Sequence, residues 1–306
     1  MLAIVIPYFK LIFFEQTLQS LSNQTDKRFK VYIGDDASPQ NPLGLLEKYT
    51  GQFDFIYHRF NENLGGVSLS QQWERCIALS GDEEWIMILG DDDYLSESVV
   101  AVFCNNLNKI KKEAVGVVRF ATQLIDENTQ AISDIYEHPQ IENAADFILK
   151  KINNQTRSSL SEYVFKKEVV VKIGFKNFPL GWYSDDLAVL EFSNFKNVYT
   201  LNNSLVFIRF STLGISGNSS YFIKKSNSRF DFYYYLLAIK RMNFSKPQKQ
   251  DLFLKLSKCY INEKRQFNYF FKISYICLRL FWLVSYFEFI NSILHYTFRR
   301  NGRKSK

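Results

Sequence analysis

Short apolar segments alternate with segments of helical periodicity over the first 110 residues of the chain. The predicted strands are Ala3–Ile6, Lys30–Ile33, Phe55–Arg59 and Trp85–Leu89. The predicted helices are Phe13–Ser22, Leu43–Thr50, Ser68–Leu79 and Ser98–Lys111. Strand and helix recur about every 25–30 residues, which is the spacing of βαβ units that build a parallel sheet. The pattern therefore predicts an α/β fold that binds ligands beyond the carboxyl ends of its strands.

The remainder of the chain has a looser pattern and then a helical one. A strand is predicted at Ala114–Phe120, and helices at Ala144–Lys151 and Leu187–Phe192. Residues 223–306 are predicted to be wholly helical. We expect one domain over 1–222, with halves at 1–111 and 112–222, followed by the helical region 223–306.

Acidic residues follow two of the predicted buried strands. Asp35-Asp36 come after the second strand, and Asp91-Asp92-Asp93 come after the fourth. Three adjacent carboxylates repel one another unless a positive charge lies among them, and a hard divalent cation that also binds a diphosphate meets this need. The alternative is a solvated turn followed by a helix N-cap. The chain has neither G-x-x-x-x-G-K-[ST] nor G-x-G-x-x-G, so it lacks a glycine-rich phosphate cradle.

Four segments, taken in order, resemble the motifs of family 2 glycosyltransferases. They are Ile4-Val5-Ile6-Pro7-Tyr8, Ile33-Gly34-Asp35-Asp36-Ala37-Ser38, Asn63-Leu64-Gly65-Gly66 and Leu89-Gly90-Asp91-Asp92-Asp93-Tyr94-Leu95. The resemblance implies a GT-A fold, which is a Rossmann-like, mostly parallel sheet flanked by helices. It also implies that residues 1–111 bind a nucleotide-diphosphate sugar and that residues 112–222 bind the acceptor.

The resemblance also implies roles for individual residues of the first half. The nucleoside and donor positions are Pro7, Tyr8, Asp35, Asp36, Asn63, Gly65, Asp91 and Asp92. The family's metal motif usually reads Asp-x-Asp-Asp, and here Gly90 stands in place of its first Asp. Aligned on the following Tyr-Leu, Asp92 and Asp93 become the ligands of Mn²⁺ or Mg²⁺. A shift of one residue would make Asp91 and Asp93 the pair instead.

The catalytic base is expected from a second acidic pair. Ser184-Asp185-Asp186 resembles the family's Glu-Asp pair, which implies that Asp186 is the base and that Asp185 contacts substrate. The alternative is that Ser184 caps a helix and both aspartates complement the helix dipole. Arg209 and Ser216 resemble the loop that closes over the donor diphosphate. The family often has an Arg after its Asn-x-Gly, and the corresponding stretch Leu69–Trp73 has none.

The C-terminal region is basic and aromatic. Residues 241–306 hold fourteen Lys/Arg and three Asp/Glu, a net charge of +11; since the whole chain carries +7, residues 1–240 carry about −4. Arg265, Lys272 and Arg279 recur every seven positions and share one helix stripe. Together with the basic tail Arg299–Lys304, this pattern predicts a helix lying in the plane of an anionic membrane, which agrees with a lipid-linked glycan acceptor. The alternatives are packing onto the catalytic domain or a dimer contact.

The predicted function is an inverting sugar transferase that uses a nucleotide-diphosphate sugar, most simply a UDP-sugar, in cell-surface polysaccharide synthesis. One alternative is a metal-dependent nucleotidyltransferase, although its Gly-rich loop is missing after the first strand. Another is a nucleic-acid-binding protein, although the body is acidic, and we expect no nucleic-acid partner. The scattered cysteines predict reduced thiols, and the N-terminus reads as a strand and not a signal peptide. We therefore expect a cytoplasmic protein at the inner face of the cell membrane.

Overall fold

The computed structural model describes residues 1–262 and 266–302. The chain divides into two compact units, Met1–Ser220 and Tyr221–Lys306. The strands, all in the first unit, are β1 (Leu2–Tyr8), β2 (Phe29–Asp35), β3 (Phe55–Arg59), β4 (Trp85–Ile88), β5 (Tyr94–Leu95), β6 (Val117–Ile125), β7 (Ile141–Asn143), β8 (Tyr163–Lys166) and β9 (Asn197–Arg209). Its helices are α1 (Phe14–Ser22), α2 (Leu43–Glu47), α3 (Leu69–Ile77), α4 (Val99–Lys112), α5 (Ala144–Ile152), α6 (Lys167–Ile173) and α7 (Ser184–Phe192).

The first four strands are parallel and form the order β3-β2-β1-β4. The seven residues of β1 and the four of β4 are almost entirely buried, as expected for parallel strands covered by helices on both faces. Their carboxyl ends lie at one edge, where Tyr8 is opposite Asp35 and Val5 is opposite Ile88. This half of the sheet agrees with the strand–helix alternation of the sequence.

The later strands extend the sheet in the order β8-β6-β9-β5, with β7 also paired to β9. Strand β8 is antiparallel to both β4 and β6, whereas β6 and β9 are parallel. The sequence does not predict β9, because the polar stretch Asn202-Asn203-Ser204 interrupts its apolar residues. That interruption coincides with a register shift opposite Phe120/Ala121. Strand β9 carries the chain back to β5, directly after the acidic triplet.

The second unit contains α8 (Phe222–Ala238), α9 (Lys246–Asn262), α10 (Phe267–Arg279) and α11 (Leu283–Gly302). Its buried residues are mainly aromatic and aliphatic, including Phe230, Leu236, Leu252 and Ile273. Arg265 and residues 303–306, which include part of the predicted basic tail, lie outside the described residues. No helix in the described part of the chain has both the length and the apolar character required to cross a bilayer.

Candidate active site

The four residues expected at the nucleoside pocket lie side by side at the carboxyl edge of the parallel strands. In the β1–β2 pairing, Pro7 is opposite Gly34 and Tyr8 is opposite Asp35. The amide of Asp36 donates a hydrogen bond to the carbonyl of Tyr8 at 3.0 Å. The fold therefore brings Pro7, Tyr8, Asp35 and Asp36 together at the edge where ligands of such sheets bind.

The carboxylate of Asp35 is buried and fully engaged within the protein. One oxygen accepts from the amide of Ser38 at 2.8 Å. The other accepts from the hydroxyl of Tyr57 at 2.6 Å and from the guanidinium of Arg59 at 2.7 Å. Burial and then the hydrogen bond to Asp35 raise the pKa of Tyr57 to about 12, so this phenol stays a donor at neutral pH. Asp35 thus fixes the ends of β2 and β3 together.

Asp36 fixes the loop before α3 in the same way. Its two oxygens accept from the amides of Leu64 and Gly65 at 2.8 and 2.9 Å. Arg75 forms an ion pair with the same carboxylate. A Cβ atom at position 65 would lie only 2.5 Å from an oxygen of Asp36, so this close approach requires glycine. The predicted Asn63 shapes the same loop, since its side-chain oxygen accepts from the amide of Gly66 at 2.6 Å.

Arg75 is a residue of this pocket that the sequence analysis does not identify. Besides its ion pair with Asp36, it donates to the carbonyl of Glu62 at 2.8 Å, and its guanidinium lies 3.9 Å from the centroid of the Phe60 ring. The stretch Leu69–Trp73, which corresponds to the family's motif, ends two residues before Arg75. Arg75 is the one basic residue of α3, and helical periodicity would have included it.

The three aspartates after β4 have different partners. Asp91 accepts from the amides of Phe9 and Lys10, each at 2.7 Å, and thereby holds the segment that follows β1. Asp93 accepts from the amide of Arg209 at 2.8 Å and from the hydroxyl of Ser161 at 2.5 Å.

Asp92 is the exception in the triplet. In residues 1–262 and 266–302, no other residue donates a hydrogen bond to its side chain. Both Asp91 bonds go to the same oxygen, so Asp92 is the member of the triplet with both carboxylate oxygens available to a ligand.

Burial and mutual repulsion shift the ionisation of this cluster. Burial, followed by the negative charge of Asp92, raises the pKa of both Asp91 and Asp93 to about 7. The pKa of Asp92 is also raised by burial, while the positive charges of Lys10 and Arg209 oppose that shift. The described residues contain no group of three or more His, Cys, Asp or Glu side chains that could hold a metal ion. Mg²⁺ is commonly bound by one or two carboxylates together with waters and substrate phosphates, and Asp92 could supply such a carboxylate.

Arg209 ends β9 against this cluster. Its Nε donates to the carbonyl of Asp92 at 3.0 Å, and its guanidinium lies 4.3 Å from the centroid of the Phe13 ring. The loop after β9 returns toward the first strand, because Lys10 donates to the carbonyl of Leu213. A Cβ atom at Gly214 would lie 4.0 Å from a carboxylate oxygen of Asp92. The segment from Arg209 to Ser216, predicted to close over the diphosphate, thus passes beside Asp92.

A cavity of about 360 Å³ adjoins this segment. Asp185, Arg209 and Ser216 all line it, so three of the predicted residues come together here. The other lining residues are chiefly aromatic, aliphatic and basic: Leu69, Trp73, Leu124, Lys151, Arg157, Ser158, Ser159, Leu160, Leu180, Gly181, Trp182, Tyr183, Ile208, Phe210 and Ile215. Mixed apolar and polar walls of this kind are typical of small-molecule sites.

The second acidic pair occupies the first turn of α7, and its two members have different environments. Asp185 lines the cavity, whereas the side chain of Asp186 has no exposed surface and forms an ion pair with Lys151. Burial, followed by the charge of Asp186, raises the pKa of Asp185 to about 7. Ser184 does not cap the helix as the alternative holds, because it is the first residue of α7 and its hydroxyl donates to the carbonyl of Lys176 at 2.6 Å. Both aspartates do lie in the first turn, where a negative charge complements the helix dipole.

Comparison with solved structures identifies the same fold. S. aureus TarS (residues 1–349, in complex with UDP-GlcNAc) superposes with a TM-score of 0.63 at 14% identity, covering 95% of this chain and 81% of that one. The mannosyltransferase PcManGT from Pyrobaculum calidifontis, in complex with GDP-Man and Mn²⁺, gives 0.55 at 12% identity, with coverage of 91% and 74%. GalNAc-T7 with UDP, GalNAc and Mn²⁺ gives 0.53 at 12% identity, with coverage of 86% and 56%. The predicted GT-A fold is confirmed.

A search of curated proteins finds no significant match. The sequence model of the family described as "Glycosyl transferase family 2" matches residues 3–165, which is more than half of the chain. The match spans the parallel strands, the acidic triplet and the segment up to β8. This chain therefore belongs to glycosyl transferase family 2 and is a glycosyltransferase.

Proposed function

We propose that this glycosyltransferase moves a hexosyl group from a nucleotide-diphosphate sugar to a hydroxyl of a glycan, with inversion at the anomeric carbon. The proposal rests on the contacts of Arg209. Arg209 contacts Asp92 and also lines the cavity that Asp185 faces, so the available carboxylate after β4 and the cavity carboxylate of α7 serve one site. Family membership favours this reaction over the nucleotidyltransferase alternative.

A UDP-sugar is the donor we propose. Two TarS structures contain UDP-GlcNAc and UDP, respectively, and PcManGT contains GDP-Man, so related folds hold nucleotide-diphosphate sugars. In this chain the pocket formed by Pro7, Tyr8 and the hydrogen-bonded loops around Asp35 and Asp36 is the place for the nucleoside. Because the protein satisfies those two carboxylates, they act by shaping the pocket for the ring and ribose.

Mn²⁺ or Mg²⁺ is the cofactor we propose, and Asp92 is the side chain that would hold it. GalNAc-T7 and PcManGT are both described with Mn²⁺. A bound divalent cation would supply stabilisation of the charge on the diphosphate leaving group. Asp93, the second ligand expected from sequence, accepts hydrogen bonds from Arg209 and Ser161 and so acts in the proposal by fixing the end of β9.

The acceptor hydroxyl must lose its proton as it attacks the anomeric carbon in line. The pair Asp185–Asp186 is the proposed base, since it stands beside the cavity. The resemblance assigns the proton transfer to Asp186. Asp185, however, is the member of the pair that lines the cavity, whereas the Asp186 side chain has no exposed surface. A pKa near 7 for Asp185 suits a general base at neutral pH.

Transfer assays with a panel of UDP- and GDP-sugars, with and without Mn²⁺, test the reaction directly. We expect release of the nucleoside diphosphate to require both a matching donor and the cation. Asp185→Asn and Asp186→Asn separate the two carboxylates. The base should lose turnover by a factor on the order of 10²–10⁴ while donor binding persists. Wild-type turnover in both variants contradicts the proposed base pair.

We further propose that the protein works at the anionic inner face of the cell membrane on a lipid-linked acceptor of cell-surface polysaccharide synthesis. Exposed apolar side chains on two helices support this. On α10 they are Phe267, Phe271, Tyr275 and Leu278, and on α11 they are Leu283, Val284, Phe287 and Leu294. At about 100° per residue each set occupies an arc of about 100° or less of its helix. Phe281, which is 86% exposed, lies between the two helices.

Charge favours a membrane over a second protein copy as the partner of these stripes. Residues 241–306 carry a net charge of +11, which attracts anionic head groups and repels an identical surface. Arg279 is exposed at the end of α10, whereas Lys272 is paired with Asp231 at 3.1 Å. The apolar stripe with basic charge at its border resembles helices that lie in the membrane interface.

Flotation with vesicles of phosphatidylcholine and phosphatidylglycerol tests this placement. The double variant Phe271→Ser/Phe287→Ser should lower the bound fraction by about tenfold or more, since burial of each Phe contributes about 1.5–3 kcal/mol. Met242→Ser is the matched control, because Met242 is 81% exposed and lies outside both stripes. Equal flotation of wild type and double variant overturns the membrane proposal. So does the loss of a dimer by the double variant with no change in flotation.

A further inference from the structure

Lys151 is a charged residue of the catalytic cavity to which neither the sequence motifs nor the family match assigns a role. It lies in the last turn of α5, and its ammonium group forms an ion pair with the buried carboxylate of Asp186. The same ammonium lies 4.9 Å from the centroid of the Tyr183 ring. Lys151 also lines the cavity beside Asp185, so it contacts the base pair from inside the site.

Among the described residues, Lys151 is the only one that donates a hydrogen bond to the Asp186 carboxylate. The second oxygen, Oδ1, is buried and accepts no hydrogen bond from any described residue. An ionised carboxylate that is fully buried depends on an adjacent cation, because transfer of an unpaired charge from water is very costly. Without Lys151, Asp186 would therefore take up a proton or turn away from its position.

The ion pair also sets the net charge of the two aspartates. When both aspartates are ionised, they carry a net charge of −1 together with Lys151 and of −2 without it. Although burial on its own lowers the pKa of Lys151, the charges of Asp186 and Asp185 raise it above its ordinary value, so the ammonium stays protonated. The pKa of Asp185 is raised by burial and by Asp186, and the charge of Lys151 lowers it.

We propose that Lys151 is a positioning residue that holds Asp186 in place and keeps the Asp185–Asp186 pair in its proton-accepting form. This role depends on the proposed transferase reaction, because it matters only where the pair accepts the acceptor's proton.

The other charged and titratable groups near Asp185 and Asp186 have partners elsewhere in the protein. Arg157 and Arg209 line the cavity, but Arg157 is paired with Glu162, and Arg209 contacts the residues after β4. The Tyr163 phenol, on β8, shares a hydrogen bond with Ser158. On α6, Lys167 donates to the carbonyl of Gly81 and Glu168 is paired with Lys166.

The test compares Lys151→Met with Lys150→Met. Lys150 is the adjacent residue of the same helix and also pairs with a buried carboxylate, Glu142 at 2.5 Å, but it does not line the cavity. For each enzyme, kcat/KM for sugar transfer is measured from pH 5.5 to 9.5, with the thermal midpoint of unfolding as the check on folding. Lys151→Arg, which keeps the charge, is the rescue variant.

We expect Lys151→Met to move the acid limb of the profile upward by about one pH unit or more. The acid limb moves upward because the pair binds a proton at higher pH once its cation is removed. Activity is therefore lost near neutrality and recovered near pH 9. Lys150→Met should leave the limb in place, and Lys151→Arg should restore it.

Three outcomes would overturn this role. They are an equal loss of activity at every pH, a rise in acceptor KM with an unmoved limb, and an equal shift in Lys150→Met. A wild-type protein that transfers no sugar contradicts the proposed function itself. A wild-type protein that transfers sugar, with a limb that Lys151→Met does not move, contradicts only the role of Lys151.

Discussion

Two acidic clusters stand at the carboxyl edge of the same sheet, and their hydrogen bonding differs. At the end of β2, the oxygens of Asp35 and Asp36 are engaged by five neighbouring residues and by a backbone amide of the same turn. After β4, the side chain of Asp92 accepts no hydrogen bond from another residue of the described chain. In the proposed site, the first cluster shapes the nucleoside pocket, and the second leaves a carboxylate for the ligand.

This contrast teaches that acidic residues in a binding motif serve different purposes. A satisfied buried carboxylate stabilises loops, because its removal leaves several donors without partners. A carboxylate that accepts no hydrogen bond from another residue contributes less to stability and is available for chemistry. Substitutions in the first cluster should therefore mainly lower stability, and substitutions in the second cluster should mainly lower turnover.

Asp92→Asn tests the cluster after β4 and should have the largest effect on turnover of the substitutions proposed for the two clusters. Turnover should fall by a factor on the order of 10²–10³, as when one group that stabilises developing charge is removed. The thermal midpoint should stay near that of wild type, because no hydrogen bond from another residue is lost. Steady-state kinetics over a Mn²⁺ titration, together with thermal unfolding, measure both. A variant that is as active as wild type, or that unfolds much earlier, shows that Asp92 is structural.

Asp36→Ala tests the structural side. The substitution leaves the amides of Leu64 and Gly65 and the guanidinium of Arg75 without their acceptor. Breaking a buried ion pair on one side costs about 3–5 kcal/mol, so the midpoint of urea unfolding should fall clearly. Asp92→Asn is the comparison, and it should unfold like wild type. If Asp36→Ala were as stable as wild type, the proposed separation of roles would be wrong.

The sequence predicts the first half of this fold well because its information is local. Strands β1 and β4 are continuous apolar segments, turn and helix signals follow each strand from β1 to β4, and four ordered motifs mark the strand ends. Strand β9 was missed because its polar centre breaks the pattern, and its partners β5, β6 and β7 are distant in sequence. The two-residue β5 is too short to show any periodicity.

The sequence identifies the acidic residues of the candidate site but not the groups that donate hydrogen bonds to them. The acidic residues were found, yet no local pattern distinguishes a carboxylate that binds Leu64 and Gly65 from one that faces a ligand. That difference depends on which backbone amides the fold aims at each oxygen. Lys151 and Arg75 were missed for the same reason, since each acts on an aspartate more than 30 residues away.

Gly65→Ala measures how tightly the first cluster is packed. The new methyl group would lie 2.5 Å from an oxygen of Asp36, so the loop must move, at a cost of about 1–3 kcal/mol. Gly44→Ala is the matched control, because Gly44 lies in α2 with no atom within 4 Å of the added Cβ. That control should be neutral or more stable, since Ala favours helix over Gly by about 1 kcal/mol. Equal effects of the two substitutions in unfolding experiments would contradict the close packing.

Arg75→Lys gives the smallest expected effect and asks whether the pocket needs the shape of the guanidinium or only its charge. Lys keeps the positive charge near Asp36 but loses the planar contact with Phe60, 3.9 Å from its ring centroid. We expect a rise of a few-fold in donor KM with little change in kcat, because a loosened pocket weakens binding without altering the reacting groups. Arg28→Lys, at an exposed ion pair with Asp26, is the control and should change neither. A fall in kcat at constant KM would instead place Arg75 with the reactive cluster.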